Sequence, residues 1–276
     1  MPLQIRERQA NITAKVHCHR LNPAEVELQV LFHCADVISD PELKGRLMGP
    51  RNVYGETVEI AYPLRPLRSE NAAEYVGRIV IPEPSFWDPI APLHYVGPLE
   101  FWDGDIPLLK AWATLGFFSR QVVRGKVISN GKPLTINGRE LSQLDDDTVR
   151  QLRHKNINTV ILPVDDKIIE HCELSDRFGM LLLFSPTLPV SQDVIESVSE
   201  YASCLGWILP ADMEFPGTHS TLLGVDATGS PIPANLTRCH FIYGEESTIE
   251  PCELPKLILG RTSSQQSDIL GIINKE

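Results

Sequence analysis

No stretch of this 276-residue chain is apolar for long enough to cross a bilayer, no two cysteines form a CxxC pair, and no basic run is interleaved with aromatics. The first absence argues against a membrane-spanning helix, which needs about 20 apolar residues. The second argues against a zinc ribbon, and the wide scatter of six cysteines argues against a dense disulfide scaffold. They are expected to be reduced and mostly buried as small apolar residues. The third absence, with a formal net charge of −11, removes the cationic footprint that nucleic acid or an anionic membrane would need. The amino terminus, MPLQIRERQANITAKV, has no apolar leader run, so the chain as given reads as cytoplasmic. A Gly-x-Ser-x-Gly elbow is also missing, so Ser185, His171 and Asp176 are not read as a hydrolase triad.

What is present divides at about residue 121. From Ile12 to Phe118 one extended run follows another: ITAKVHCHRL, VELQVLFHC, NVYGETVEIAYPL, AAEYVGRIVIP, APLHYVGPLEFW and LKAWATLGFF. Pro and Gly punctuate the intervals, and the pattern predicts an all-β sandwich of about seven strands over 1–121. A turn at Pro23-Ala24 sets His17 near Val30 rather than His33. His17 and Cys18 also face opposite sides of their strand, so no metal is expected at His17, Cys18, His19, His33 and Cys34.

Over 122–276 the period changes. DDDTVRQLRHKN starts acidic and ends basic, as a helix dipole favours. TVILPV is a short strand, and DKIIEHCELSDRFG a helix closed by Gly179. MLLLFS is a buried parallel strand, and SQDVIESVSEYASC a helix that opens at a serine. Beyond Asp212 short apolar runs persist at LLGVD, RCHFIYG, PKLILG and DILGII, without helices between them. Eight strand candidates follow Lys132, which suits either a (β/α)8 barrel stripped of its later helices or an open, incomplete sheet.

Five motifs in order carry a resemblance: PEPSFWDPIAPLHYV (Pro82 to Val96), LGFF (Leu115 to Phe118), NGKP (Asn130 to Pro133), HKNINTV (His154 to Val160) and LSDRFGMLLL (Leu174 to Leu183). Together they resemble the domain junction of family 2 glycoside hydrolases over roughly residues 75 to 212. The resemblance implies an immunoglobulin-like sandwich followed by a degenerate, reduced (β/α) TIM-type barrel. It also implies retaining hydrolysis by two glutamates at the carboxyl ends of barrel strands, about 5 Å apart.

The residues that would perform that reaction are replaced. The acid/base should close strand four, where the sequence reads Trp207-Ile208-Leu209-Pro210-Ala211-Asp212. The nucleophile should close strand seven, where Gly260 and Arg261 stand. Ile161 and Val164 occupy the places of an Arg and a His, Ser185 that of an acid, and Phe118 that of the Arg in Gly-Phe-Arg. The reading is therefore a glycosidase-like scaffold without turnover, used for carbohydrate binding or protein interaction.

If chemistry persists, Asp212 and Glu214 are its candidate acid and base, with Asp165, Asp166, Asp226, Glu245 and Glu246 as other carboxylates within call. Trp207, Asp165, Asp226 and Arg261 are the expected ligand-binding residues. Phe86, Trp87, Tyr95, Trp102 and Trp112 are either a sugar-stacking platform or sandwich core. Neither cofactor nor metal is expected. The expected partners are a carbohydrate and a second copy of the chain covering helix-poor barrel faces, with a structural or assembly role as a further alternative.

Overall fold

The computed structural model describes residues 1–8, 12–69, 71, 73–123, 126–211, 213, 221–228, 239–249, 252, 254–260 and 269–274. The chain forms two compact units, one of residues 1–87 and 93–117, the other of residues 88–92 and 118–276.

Nine strands make the first unit: β1 Leu3–Arg8, β2 Ile12–Leu21, β3 Glu25–Cys34, β4 Pro41–Arg51, β5 Ile60–Pro63, β6 Arg65–Leu67, β7 Glu74–Pro82, β8 His94–Asp103 and β9 Ile106–Leu115. They form two antiparallel sheets, ordered β1-β9-β8-β4-β5 and β2-β3-β7-β6. Alternate residues of each sheet meet between them: Leu28, Val30, Phe32 and Ile79 from one, Leu99, Phe101, Leu109 and Ala111 from the other. The Phe32 and Phe101 rings stack there at 5.6 Å.

Three of these strands, β1, β4 and β6, fall outside the six extended runs read from the sequence. The β4 sequence PELKGRLMGPR lacks the apolar alternation that announces a strand, because glycines stand where side chains would. A Cβ on Gly45 would lie 2.4 Å from the Pro98 carbonyl oxygen, and one on Gly97 would lie 2.0 Å from that of Arg46. Close backbone approach between β4 and β8 therefore excludes larger residues, the usual meaning of glycine inside a strand. β1 was missed because five of its six residues are exposed.

The β2–β3 hairpin sets His17 opposite Gln29, one residue from the expected partner, with a bulge between Cys18 and Arg20. Cys18 is exposed and Cys34 buried. Among the described residues, no group of three or more His, Cys, Asp or Glu could hold a metal ion.

The second unit opens with a three-stranded sheet, β10 Arg120–Val123, β11 Lys126–Ser129 and β12 Lys132–Leu134. Then β13 Ile136–Glu140, β14 Thr159–Pro163, β15 Leu181–Ser185, β16 Cys204–Pro210, β17 Leu222–Asp226, β18 Phe241–Glu245, β19 Lys256–Leu259 and β20 Ile269–Asn274 pair in parallel, each with the next. β20 pairs back onto β13, so the sheet closes into an eight-stranded barrel. Closure rules out the open, incomplete sheet.

Three helices fill the connections of the first half: α1 Asp146–His154, α2 Ile168–Phe178 and α3 Gln192–Ser199. The Asp145 side chain accepts from the Thr148 amide at the start of α1, an N-cap. Gly179 ends α2 in the left-handed region with φ 70°, where a Cβ would collide with the Pro89 carbonyl oxygen. Arg153 Nη1 donates to the carbonyls of Phe178 and Gly179, at 2.7 and 2.9 Å, and to that of Pro89. The guanidinium thus satisfies acceptors at the negative end of α2.

Beyond β16 the described residues contain one helical turn, α4 Glu246–Ile249, which the sequence period was too short to announce. Outward residues Val225, Ile242 and Ile258 pack there on Ile249, with Cys239, Cys252 and Leu254 beside them. No described helix is long and apolar enough to cross a membrane.

Candidate active site

In a closed parallel barrel the side chains able to meet a substrate stand where the strands end. Here those ends are Glu140, Pro163, Ser185, Pro210, Asp226, Glu245, Leu259 and Asn274. Strand seven ends in Leu259 and Gly260, so the described residues put no carboxylate at that position. Strand four ends at Pro210. The predicted acid and base, Asp212 and Glu214, lie outside the described residues, as does Arg261.

One polar constellation does form. The Tyr243 hydroxyl, on the sixth barrel strand, donates to Glu140 Oε1 on the first at 2.5 Å, a length usual for bonds to charged acceptors. Asp226 is the register partner of Tyr243 on the neighbouring strand. Tyr243 is almost wholly buried, and its phenol is pushed well above its ordinary pKa. Burial is the largest cause, followed by the bond to Glu140 and the charges of Glu140 and Asp226. Asp226 Oδ1 also accepts from the Thr228 amide at 2.8 Å and from its hydroxyl at 2.7 Å. Both carboxylates are thus engaged by the chain itself, and the phenol stays protonated at neutral pH. Glu140 and Tyr243 were not anticipated. Glu140 sits in a polar run and Tyr243 in an apolar one, 103 positions apart, and only barrel geometry joins them.

The other predicted residues disperse. Trp207 is fully buried and packs on Phe184 at 5.4 Å, in the cluster that includes Val149 of α1, Cys172 of α2 and Val198 of α3. It therefore faces the helix layer. Asp165 lies on the loop before α2, accepting from the Lys167 amide at 3.0 Å, with Oδ2 3.5 Å from His171 Nε2. Asp166 and Glu245 are exposed. Asp176 is buried and accepts from the amides of Ala202 and Ser203, which ties α2 to the segment before β16. Ile161 is buried, and Val164 packs against the helix-side cluster.

At the opposite end of the barrel a cavity of about 70 Å³ is lined by Arg120, Cys204, Thr221 and His240, among others. That is well below the ~300 Å³ at which ligand pockets begin. Arg120 donates there to the Ala202 and Cys204 carbonyls, and burial holds its pKa down to about 10 despite the raising influence of Cys204, Asp176 and Asp88. Two guanidinium nitrogens bonded to backbone carbonyls make this a structural tie.

The two-sheet unit, the closed barrel and the order of their elements find counterparts among solved structures. A glycosyl hydrolase family 2 member from Bacteroides cellulosilyticus aligns with a TM-score of 0.64 at 12% identity over 95% of this chain and 45% of its own. A β-glucuronidase from Bacteroides uniformis gives 0.63 at 11% identity, over 95% and 45%. One from Ruminococcus gnavus gives 0.62 at 10% identity, over 99% and 61%. The chain has the fold of family 2 glycoside hydrolase structures. It spans about half the length of the Bacteroides structures among them. No family model matches the sequence, and no curated protein does. At 10–12% identity the likeness is one of fold, and chemistry has to be argued from the site.

Proposed function

We propose that this chain is a non-catalytic protein on a family 2 glycoside hydrolase scaffold, with a binding role toward a carbohydrate or a protein. In this reading the two-sheet unit is an immunoglobulin-like sandwich, and the barrel is a TIM-type barrel reduced in its later helices. The observation that carries it is the end of strand seven, where Leu259 and Gly260 stand in place of the nucleophile. Without a carboxylate there, a retaining mechanism has no group to attack the anomeric carbon.

A second reading has one observation in its favour: Glu140 and Asp226 flank a single buried phenol. A glycosidase with relocated carboxylates would use that trio.

The test is a panel of 4-nitrophenyl glycosides, including the β-D-glucuronide, incubated with purified protein. No release above the buffer rate is expected. Release that Glu140→Gln or Asp212→Asn abolishes would overturn the non-catalytic reading, and abolition by Glu140→Gln would establish the second.

A further inference from the structure

Of the five aromatic residues set aside above as platform or core, three belong to the interior. Trp87 and Tyr95 are fully buried, and Phe86 packs against the sandwich core. Trp102 and Trp112 do not. They are partly exposed, at strand positions whose neighbours Phe101, Ala111 and Ala113 are buried, so both indoles lie on the outer face of the five-stranded sheet.

Trp112 on β9 is the register partner of Pro98, four residues before Trp102 on β8. The two rings are therefore separated by roughly 13 Å along the strands at about 3.3 Å per residue. Between them runs a row of charges on adjacent strands: Glu7 opposite Lys110, Lys110 opposite Glu100, Glu100 opposite Lys44. These charges are internally matched. Lys110 pairs with Glu7 at 2.8 Å and Lys44 with Glu42 at 2.9 Å, while Trp102 Nε1 donates to Glu100 at 2.8 Å. Arg6 lies over the Trp112 ring at 4.4 Å and Lys44 over the Trp102 ring at 4.3 Å.

This composition selects among partners. The cores of protein interfaces are depleted in Lys and Glu, and here those residues fill the middle of the patch. An anionic polymer would meet Glu7, Glu42 and Glu100 on a chain of net charge −11. A neutral polyhydroxyl ligand meets neither obstacle. Its apolar ring faces suit flat indoles, and its hydroxyls can both donate to carboxylates and accept from ammonium groups. The cations over the rings are on long side chains at the surface, where such contacts are weak and the cation can swing aside.

We propose that the outer face of the five-stranded sheet, centred on Trp102 and Trp112, binds a neutral polysaccharide chain laid across both indoles. The proposal deepens the binding role argued above and rests on it only for the class of ligand. Its failure would be read in binding, whereas failure of the non-catalytic reading would be read in glycoside turnover.

The test is native gel retardation of the whole chain by soluble mixed-linkage β-glucan, xylan, galactomannan and dextran, with polygalacturonate as the acidic comparison. In parallel, acrylamide quenching of fluorescence reports this face, since Trp87 and Trp207, the other two of four tryptophans, are fully buried. At least one neutral polysaccharide is expected to retard the protein and shield its fluorescence. Trp102→Ala and Trp112→Ala should each weaken retardation about 30-fold, as loss of a central aromatic anchor does. Trp102→Phe should recover part of the loss. Absence of retardation and shielding across the neutral panel, response to polygalacturonate alone, or unchanged binding in a folded double-alanine variant would overturn the proposal. The quenching measurement on the unaltered chain keeps it falsifiable should the double variant not fold.

Discussion

The two halves of the barrel share one sheet geometry, and their described residues pack on it with side chains of different size. From β13 to β16 the outer strand faces are covered by α1, α2 and α3, over a cluster that includes Val160, Leu182, Phe184 and Trp207. From β17 to β19 the described residues that pack together include Val225, Ala227, Ile242 and Ile258, with Ile249 from a single helical turn. Yet β17 to β20 pair in parallel register and close onto β13. Backbone pairing around a closed ring leaves no free edge. The cluster under α1, α2 and α3 holds larger side chains, Phe184 and Trp207 among them, so truncation there should cost more.

The largest expected effect is at Trp207. Trp207→Ala removes a fully buried indole and should lower unfolding free energy by about 3–5 kcal/mol in urea denaturation. In the second half, Ile258→Ala should cost about 2 kcal/mol, the low end for a buried aliphatic truncation. An equal loss at the two sites would break the comparison.

Tyr243→Phe addresses the bond that ties the two halves through β18 and β13. It should cost about 1–2 kcal/mol at neutral pH, because Glu140 loses a donor. Folding raises the Tyr243 pKa, so the wild-type advantage is fully present below the unfolded phenol value near 10 and shrinks as pH rises above it. Denaturation at pH 8 and pH 11 checks this, and an advantage that grew with pH would refute the assignment.

The smallest effect belongs to Asp145→Ala at the start of α1. The Asp145 carboxyl is held below its ordinary value by the Thr148 amide, so its contribution is present above pH 3.8 and lost as pH falls through the lower folded value. Wild-type and variant thermal midpoints should converge in acid.

Legibility followed the same division. In the first half each helix carried its own punctuation: acids at Asp145 to Asp147, Ser191 before α3, Gly179 after α2. The runs TVILPV and MLLLFS appear as β14 and β15 because continuous apolar residues have few other places to go. β4 and α4 escaped notice for opposite reasons. One replaces side chains with glycines required by a neighbouring strand, and the other is a single turn without room for a period. At the mouth, sequence position could say which expected residues had been replaced. It could not say that Glu140 and Tyr243 meet, since that contact exists only once the ring has closed.

The Arg153 side chain has a practical consequence for anyone cutting this protein into pieces. One of its three carbonyl acceptors belongs to Pro89, within a five-residue excursion, 88–92, that joins the second unit before the chain returns to finish the first. A clone beginning at Phe118 would carry every barrel strand and still lack a piece of the body it was meant to isolate. The guanidinium would give up an acceptor, and Gly179 would lose the carbonyl it packs against. Sequence order and physical wholeness part company here, and a separable fragment has to be designed around the excursion rather than the last sandwich strand.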